Sequence, residues 1–589
     1  MVPTQITESH SRALSHGASD RDAALALAPR HLLIDGRFVP VSGGRTLGVG
    51  DPATGRILAE VADATLGDCL AALEAAVAAQ ASWAGSAPRE RSRILRHAAD
   101  RLRDEIETLA NILTAEMGKP LAESRAEVEF AADYLEWFGE EAVRVAGRTA
   151  ASPDGHSQHL VVRTPVGPCL VITPWNFPLA VPARGIGPAL AAGCTVVLRP
   201  SSLTPLSALA LGRILIEAGL PAGVLNIVVS SEDAATDPLL RDGRIRKLTF
   251  TGSEAVGRHL IAQSAEQVLR VSAELGGCAP FVVFADADMD EAVEGAFAAK
   301  MRNGGAACTA ANRFYIQRPI YAEFTRRLAA RVAGVRIGRG TRAGVGLGPM
   351  ISERHVARLA ALVDDAVTRG ARVVVAGGPV PGDGHFFTPV VLAEVPQDAR
   401  VMREEIFGPV VAIAPFDTED EALALANDHD AGPRRLPLHQ RSGAGHAPRW
   451  GDPGGHGRHK PRPGQLRGGP LRRRRPLRLR PLRRGRGHRR VPGHPVPHDI
   501  DGGRAMSRGL TRHPVTIDEW RHPMLPMHRF HYLIRQAVLA TLEPRRIDTP
   551  NSWQGSLMPT PPRASPARRQ MSSRRFAEDA AGSSRRRCE

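Results

Sequence analysis

Cysteine is scarce in this chain of 589 residues, and none of its copies has a partner at a recognisable spacing. The six (Cys69, Cys169, Cys194, Cys278, Cys308, Cys588) are scattered. That excludes a disulfide scaffold and a zinc-type metal centre, and it points to a reducing compartment. Long apolar runs are also missing: none approaches the roughly 18 residues a membrane helix needs. The opening "MVPTQITESHSRALSHGASDRDA" lacks the apolar core of a signal peptide. These absences predict a soluble, cytoplasmic protein with no membrane segment and no metal. The length suffices for two or more domains.

Acidic residues are missing from one place in particular. Residues 431–589 hold 35 of the 77 Lys+Arg but only 10 of the 61 Asp+Glu, so the net charge of +16 belongs to the C-terminal part and residues 1–430 are acidic. Between 431 and 500 there are 12 prolines, two acids (Asp452, Asp499) and one aromatic, Trp450. Such a segment buries too little apolar surface to offset its ordering entropy. Disorder is expected from 431 onward, with a short helix in "HRFHYLIRQAVLATL" as the exception. Residues 1–30 read as a poorly ordered polar leader.

Between these ends the pattern is regular. "HLLIDGRFVPV" reads as strand and turn. Thr65 and Asp68 make a capping box for "LGDCLAALEAAVAAQASW". "LAESRAEVEFAADYLEWF" places Leu121, Val128, Leu135 and Phe138 near one helical face. From 160 to 285 the short apolar runs "CLVIT", "CTVVL", "VLNIVV" and "IRKLTF" alternate with helical stretches. One of these, "TPLSALALGRILIEAGLP", has Thr204 as N-cap, Pro205 at its first position, and Gly219 and Pro221 as its stop. This alternation predicts an α/β fold with a parallel sheet covered on both faces.

Five stretches carry chemistry: "LVITPWNFPLAVPARGIGPALAAGCTVVLRPSSLTP" from Leu170, "TFTGSEAVGRHL" from Thr249, "SAELGGCAPFVVFADADMD" from Ser272, "RNGGAACTAANRFY" from Arg302, and "EEIFGPVVAIAPFDTEDEALALAND" from Glu404. In this order and spacing, over about residues 30–430, they closely resemble the aldehyde dehydrogenase superfamily. The resemblance implies a Rossmann-like NAD(P)-binding domain (31–274, with part of an oligomerisation arm near 148–166) and a catalytic α/β domain (275–430), C-terminally incomplete. A disordered, non-family tail (431–589) would follow. It implies homo-oligomers too, although the missing C-terminal family sequence puts assembly in doubt.

Read alone, Cys308 is a small buried thiol or a nucleophile. The resemblance assigns it the nucleophile's role, in which a thiolate attacks an aldehyde carbon. It further implies Glu274 as the base that activates water and Asn176 as oxyanion donor beside the Cys308 N–H; without it, Asn176 also suits a turn. A buried Glu274 would have a raised carboxyl pKa, and Gly276 and Gly277 leave room for close approach. Ile172, Thr173, Pro174, Trp175, Arg199, Ser202, Gly252, Ser253, Leu275, Glu405 and Phe407 match cofactor-lining positions. In "LRPSS", Arg199 replaces the family's usual lysine and Ser202 stands where a ribose-binding glutamate is usual. Loss of that carboxylate and gain of a guanidinium favour NADP over NAD. Arg184 and Arg302 match positions that hold the distal carboxylate in succinate-semialdehyde dehydrogenases, or else serve structural ion pairs. Other ω-carboxylated or aliphatic aldehydes remain alternatives, as does a catalytically impaired relative.

Two departures stand out. Ala306 occupies the place of a usual glutamine two residues before Cys308, which puts loop packing in question. After "ALANDHD" no family sequence follows. A GC-rich gene read out of frame turns Gly and Ala codons into Arg and Pro codons, so a frameshift near residue 430 is expected, leaving strands around 390–415 with uncovered edges. The alternative, a nucleic-acid-binding tail, has the charge for phosphate contact but lacks the aromatics that stack on bases; nucleic acid is not expected as a partner.

Overall fold

Asp35 and Gly36 both take left-handed backbone, φ 50° and 73°, the geometry of a tight two-residue hairpin. They join β1 (Leu32–Ile34) to β2 (Arg37–Val39). In this computed structural model, residues 20–428 and the strand Leu542–Pro550 are described. The hairpin edges a seven-stranded sheet whose other members are β3 (Cys169–Ile172), β4 (Val196–Arg199), β5 (Leu225–Ile227), β6 (Lys247–Gly252) and β7 (Arg270–Leu275). The order is β7-β6-β3-β4-β5-β1-β2, and β3 to β7 run parallel. All four residues of β3 are buried, as strands covered on both faces require. The chain steps from β3 to β5 in one direction, then crosses to place β6 and β7 on the other side of β3. Ligands of open parallel sheets bind outside the carboxyl ends of the strands near such a reversal.

Five further strands form a second sheet: β8 (Pro280–Val283), β9 (Arg313–Gln317), β10 (Arg372–Val375), β11 (Val390–Ala393) and β12 (Val410–Phe416). Their order is β8-β9-β12-β11-β10, parallel except for β10. β11 and β12 therefore each have a neighbour on both sides. The expectation of uncovered edges around 390–415 is corrected: among the described residues the sheet ends at β8 and β10, because β10 folds back antiparallel onto β11.

The helices follow the sequence closely. Leu66–Gly85 starts at the Thr65/Asp68 capping box. Helix α1 (Leu121–Ala142) buries Val128, Leu135 and Phe138 completely. Helices α2 (Ala180–Ala192), α3 (Glu254–Ser264) and α4 (Glu353–Thr368) border the site described below. One start shifts: Leu206–Glu217 is preceded by Pro205, not Thr204, as N-cap residue. The carboxylate of fully buried Glu116 accepts from the N–H of Leu206 (2.8 Å) and of Ser207 (2.9 Å), so a distant side chain replaces the local cap.

Both terminal expectations are corrected in part. Residues 20–27 of the leader are helical, and Ala24, Leu25 and Ala28 are buried. Three small or apolar side chains on one face give that turn a core contact that its overall polarity hides. In the tail, Leu542–Pro550 is a strand beside Ser157–Pro165, which pairs antiparallel with Arg148–Ala151. Backbone pairing with an open strand edge needs no apolar core. The expectations for residues 1–19, for 429–541 and 551–589, for the helix in "HRFHYLIRQAVLATL" before Leu542, and for the frame change near 430 lie outside the described residues. No helix among the described residues is long and apolar enough to cross a membrane.

Candidate active site

Cys308 follows a turn that few sequences can make. Asn303, Gly304 and Gly305 take φ of 54°, 61° and 79° in succession, a left-handed run suited to Asn and Gly. A Cβ on Gly305 would lie 2.3 Å from the Gly408 carbonyl oxygen, so the close approach itself requires glycine. The turn leaves Cys308 half-buried. Burial pushes its thiol above the ordinary range, the Arg184 guanidinium pulls it down, and the Glu405 and Glu274 carboxylates push it up. Arg184, Glu405 and Glu274 thus all act on one sulfur.

Asn176 meets the same turn from the loop after β3. It is buried, and its Nδ2 donates to the Ala306 carbonyl at 2.9 Å. Asn303 Nδ2 donates to that carbonyl and to the Asn176 carbonyl, each at 2.9 Å. Asn176 Oδ1 is buried without a partner. The polar contacts at position 306 run through the backbone, so alanine there leaves this bridge intact.

Glu274 departs from expectation. Its side chain is 55% exposed, 3.9 Å from the Arg184 guanidinium. The cause is topological: among the described residues β7 has only β6 beside it, so the carboxyl end of that edge strand opens to solvent. The more enclosed carboxylate is Glu405, half-buried with its Oε1 buried. It sits where a Cβ on Gly276 would fall, 2.1 Å from Oε2. The room left by Gly276 is therefore filled by a protein carboxylate. Burial pushes Glu405 up to about 7, against the opposing effects of the Gly277 N–H, Arg358 and Lys300.

The carboxyl edge of the large sheet carries the remaining candidates. Ile172 ends β3 and leads into Thr173, Pro174 and Trp175. Arg199 ends β4, with half-buried Ser202 just beyond. β6 ends at Gly252, and Ser253 caps α3 by accepting from the Val256 N–H at 3.5 Å. Leu275 ends β7 and packs on Gly257, where a Cβ would lie 2.4 Å from Leu275 Cδ2. Three buried polar atoms along this edge lack partners: Thr173 Oγ1, Arg199 Nε and Glu405 Oε1. With the helix N-terminus at Ser253, which favours phosphate, they fit a dinucleotide. Trp175 stacks edge-on to Phe407 with centroids 5.3 Å apart.

Arg184, on α2, donates to Thr251 Oγ1 at 3.0 Å. Arg302 is exposed and stands 5.5 Å over the ring of Phe177, next to Asn176. Several residues escaped the sequence reading. His355 Nε2 bonds the Phe407 carbonyl at 2.8 Å, and Arg358 donates to the Glu405 and Ile406 carbonyls. These three bonds from α4 fix the loop of Glu405, and nothing local in the sequence signals them. Fully buried Lys300, pushed down to about 7 by burial, was the one detectable case: a lone charge in "GAFAAKM". Asp233 pairs with Arg199 at 2.7 Å, an acid beside the guanidinium that the motif did not reveal.

The profile of the aldehyde dehydrogenase family matches residues 38–434. A succinate-semialdehyde dehydrogenase of Paenarthrobacter nicotinovorans is 53% identical over 377 residues, 64% of this chain and 84% of that protein. The NADP(+) succinate-semialdehyde dehydrogenase of Escherichia coli K12 is 43% identical over 400 residues, 68% and 83% of the two chains. The fold matches the crystal structure of succinate-semialdehyde dehydrogenase from Burkholderia pseudomallei at a TM-score of 0.67 and 44% identity, covering 69% of this chain and 84% of that one. With Asn176, from the edge of an open parallel sheet, bonded to the Ala306 carbonyl two residues before a half-buried cysteine, and with the family profile matching residues 38–434, the chain belongs to the aldehyde dehydrogenase family.

Proposed function

We propose that this protein oxidises an aldehyde bearing a distal carboxylate, succinate semialdehyde first among them, to the carboxylic acid, with NADP or NAD as hydride acceptor. The observation that carries the reading is the bond from buried Asn176 to the Ala306 carbonyl beside half-buried Cys308, with Arg184 3.9 Å from Glu274 at the same carboxyl edge. In this reading Cys308 Sγ attacks the aldehyde carbon to give a tetrahedral thiohemiacetal. Arg184 favours the thiolate against the cost of burial. Asn176 Nδ2 and the Cys308 N–H donate to the oxyanion; one such donor is worth about 3–4 kcal/mol. Thr173, Arg199, Gly252, Ser253, Glu405 and Phe407 would hold the dinucleotide, whose nicotinamide supplies the hydride-accepting chemistry. The acyl group left on Cys308 is a thioester. Glu274, open to solvent, takes a proton from the water that attacks it, and the acid leaves.

Arg184 and Arg302 are assigned to the distal carboxylate. Arg302→Met should raise the KM for succinate semialdehyde about tenfold or more, since charged hydrogen bonds are worth about 1.5–3 kcal/mol. The KM for an uncharged aldehyde of similar length should not move. Equal effects on both would remove Arg302 from substrate recognition and favour an aliphatic substrate.

NADP is favoured by Arg199 and Ser202. Asp233 competes for Arg199, and it is 76% exposed, so the competition is weak. Asp233→Asn should tighten NADP binding by up to about fivefold, the scale of an exposed ion pair, and leave NAD unchanged, as read by titration calorimetry.

The division into a cofactor domain (31–274) and a catalytic domain (275–430), a cytoplasmic location and assembly into homo-oligomers are parts of the same proposal. A second reading, a catalytically impaired relative, is favoured by the end of the family match at residue 434, where the Arg- and Pro-rich sequence begins. Sequencing the DNA around codon 430 decides its origin: a frameshift requires that another frame restore family-like sequence after Asp430. The frame-restored protein should then turn over faster and melt higher than the present chain.

A further inference from the structure

The first turns of α1 carry charges that the mechanism leaves unused. Lys119 lies just before the helix, and Glu123 and Glu127 follow at intervals of four, a spacing that stacks side chains on one helical face. Lys119 and Glu127 are each only 1% exposed, with Nζ and Oε2 2.5 Å apart. The same Nζ donates to the Asn176 carbonyl at 2.8 Å. The other Glu127 oxygen accepts from the N–H of Leu179 (2.9 Å) and of Ala180 (3.2 Å), where α2 begins and its orphan amides and dipole favour a negative charge. Glu123 faces the opposite wall: both its oxygens accept from the Asn303 N–H, at 3.1 and 3.0 Å. One helix face therefore grips the loop of Asn176 and the turn of Cys308 together.

A buried ion pair is weak evidence of stability, since apolar residues of similar volume often do as well. Its contacts here are directional and end on the backbone of Asn176 and of the residues just after it. We propose that Lys119, Glu123 and Glu127 are positioning residues that fix the Asn176 amide relative to Cys308. The proposal rests on the reading of Asn176 as oxyanion donor. Lys119 and Glu127 are buried from solvent, and the contacts of all three end on backbone groups, so in this proposal they act on the chemical step and not on binding.

The test is a double-mutant cycle in single-turnover mode. Lys119→Met/Glu127→Gln avoids an unpaired buried charge and retains an acceptor for the two amides; Glu123→Gln tests the other wall. Each should lower the rate of NADPH formation 10- to 100-fold, with aldehyde KM and NADP affinity unchanged within twofold. In an Asn176→Ala background the same changes should have little further effect, since groups acting through one residue are not additive. An equal loss in both backgrounds overturns the proposal, as does a change confined to KM. The side-chain amide 15N signals of Asn176 give a readout independent of turnover. They should shift in Lys119→Met/Glu127→Gln and stay in place in the surface control Arg125→Lys; unmoved signals in the former also overturn it. Absence of turnover in the unmutated chain would count against the activity alone, because the amide signals report the positioning by themselves.

Discussion

Cys308→Ala should abolish NADPH formation in a single turnover with succinate semialdehyde, a fall of about 10^4-fold or more, as expected when a nucleophile acting in concert with other groups is removed. Single turnover is the right measurement because it reads the first hydride transfer even where steady-state turnover is slow. The protein should still fold and bind NADP, since Cys308 lies half-buried at the end of a turn set by Asn303, Gly304 and Gly305. Alkylation with iodoacetamide gives a second check. Burial raises the thiol's pKa, so less thiolate is present at neutral pH than for a free cysteine, and labelling should accelerate as pH rises through and beyond the ordinary thiol range. Arg184→Met removes the cation that most lowers that pKa and should slow labelling at fixed pH. An NADPH signal from Cys308→Ala equal to that of the unmutated chain would end the covalent mechanism.

Glu274→Gln should separate the two halves of the reaction. Thiohemiacetal formation and the first hydride transfer do not use the carboxylate, so about one NADPH per site should still appear in a burst. Hydrolysis of the thioester then lacks its base, and the steady rate should fall by about 10^2–10^4-fold, the usual worth of general base catalysis. Acyl-enzyme should accumulate and be visible as added mass on Cys308. Loss of the burst itself would show that Glu274 acts before the thioester, for instance in deprotonating the thiol. Glu405 is the natural comparison, as burial pushes this nearby carboxylate up to about 7. Glu405→Gln should weaken cofactor binding without trapping acyl-enzyme.

Much of this was legible in the chain. Alternating apolar runs and helical stretches foretold the parallel sheet. The Thr65/Asp68 box marked a helix start that the structure keeps, and the Gly252–Ser253 pair fell where a strand ends and a helix begins. The errors share a cause. The Leu206–Glu217 start was misplaced because its cap is the carboxylate of Glu116, 90 residues earlier. A raised carboxyl pKa for Glu274 was conditional on burial, and only the sheet order, which makes β7 an edge, leaves that side chain exposed.

The sequence by itself determined the family, through five stretches in order, and most of the elements, and it supplies the Asn and two Gly that the left-handed turn before Cys308 uses. Only the tertiary structure decided how the site is assembled. Asn176 reaches the Cys308 turn across 130 residues, and Arg184 comes to Thr251 across 67. Asp233 closes on Arg199, Lys119, just before α1, bonds the Asn176 carbonyl, and Glu127 of α1 bonds the Leu179 N–H. Periodicity records which face of an element is apolar. It does not record which buried charge from another element will meet that face, because the meeting depends on sheet order and on loops that bring distant residues within about 3 Å.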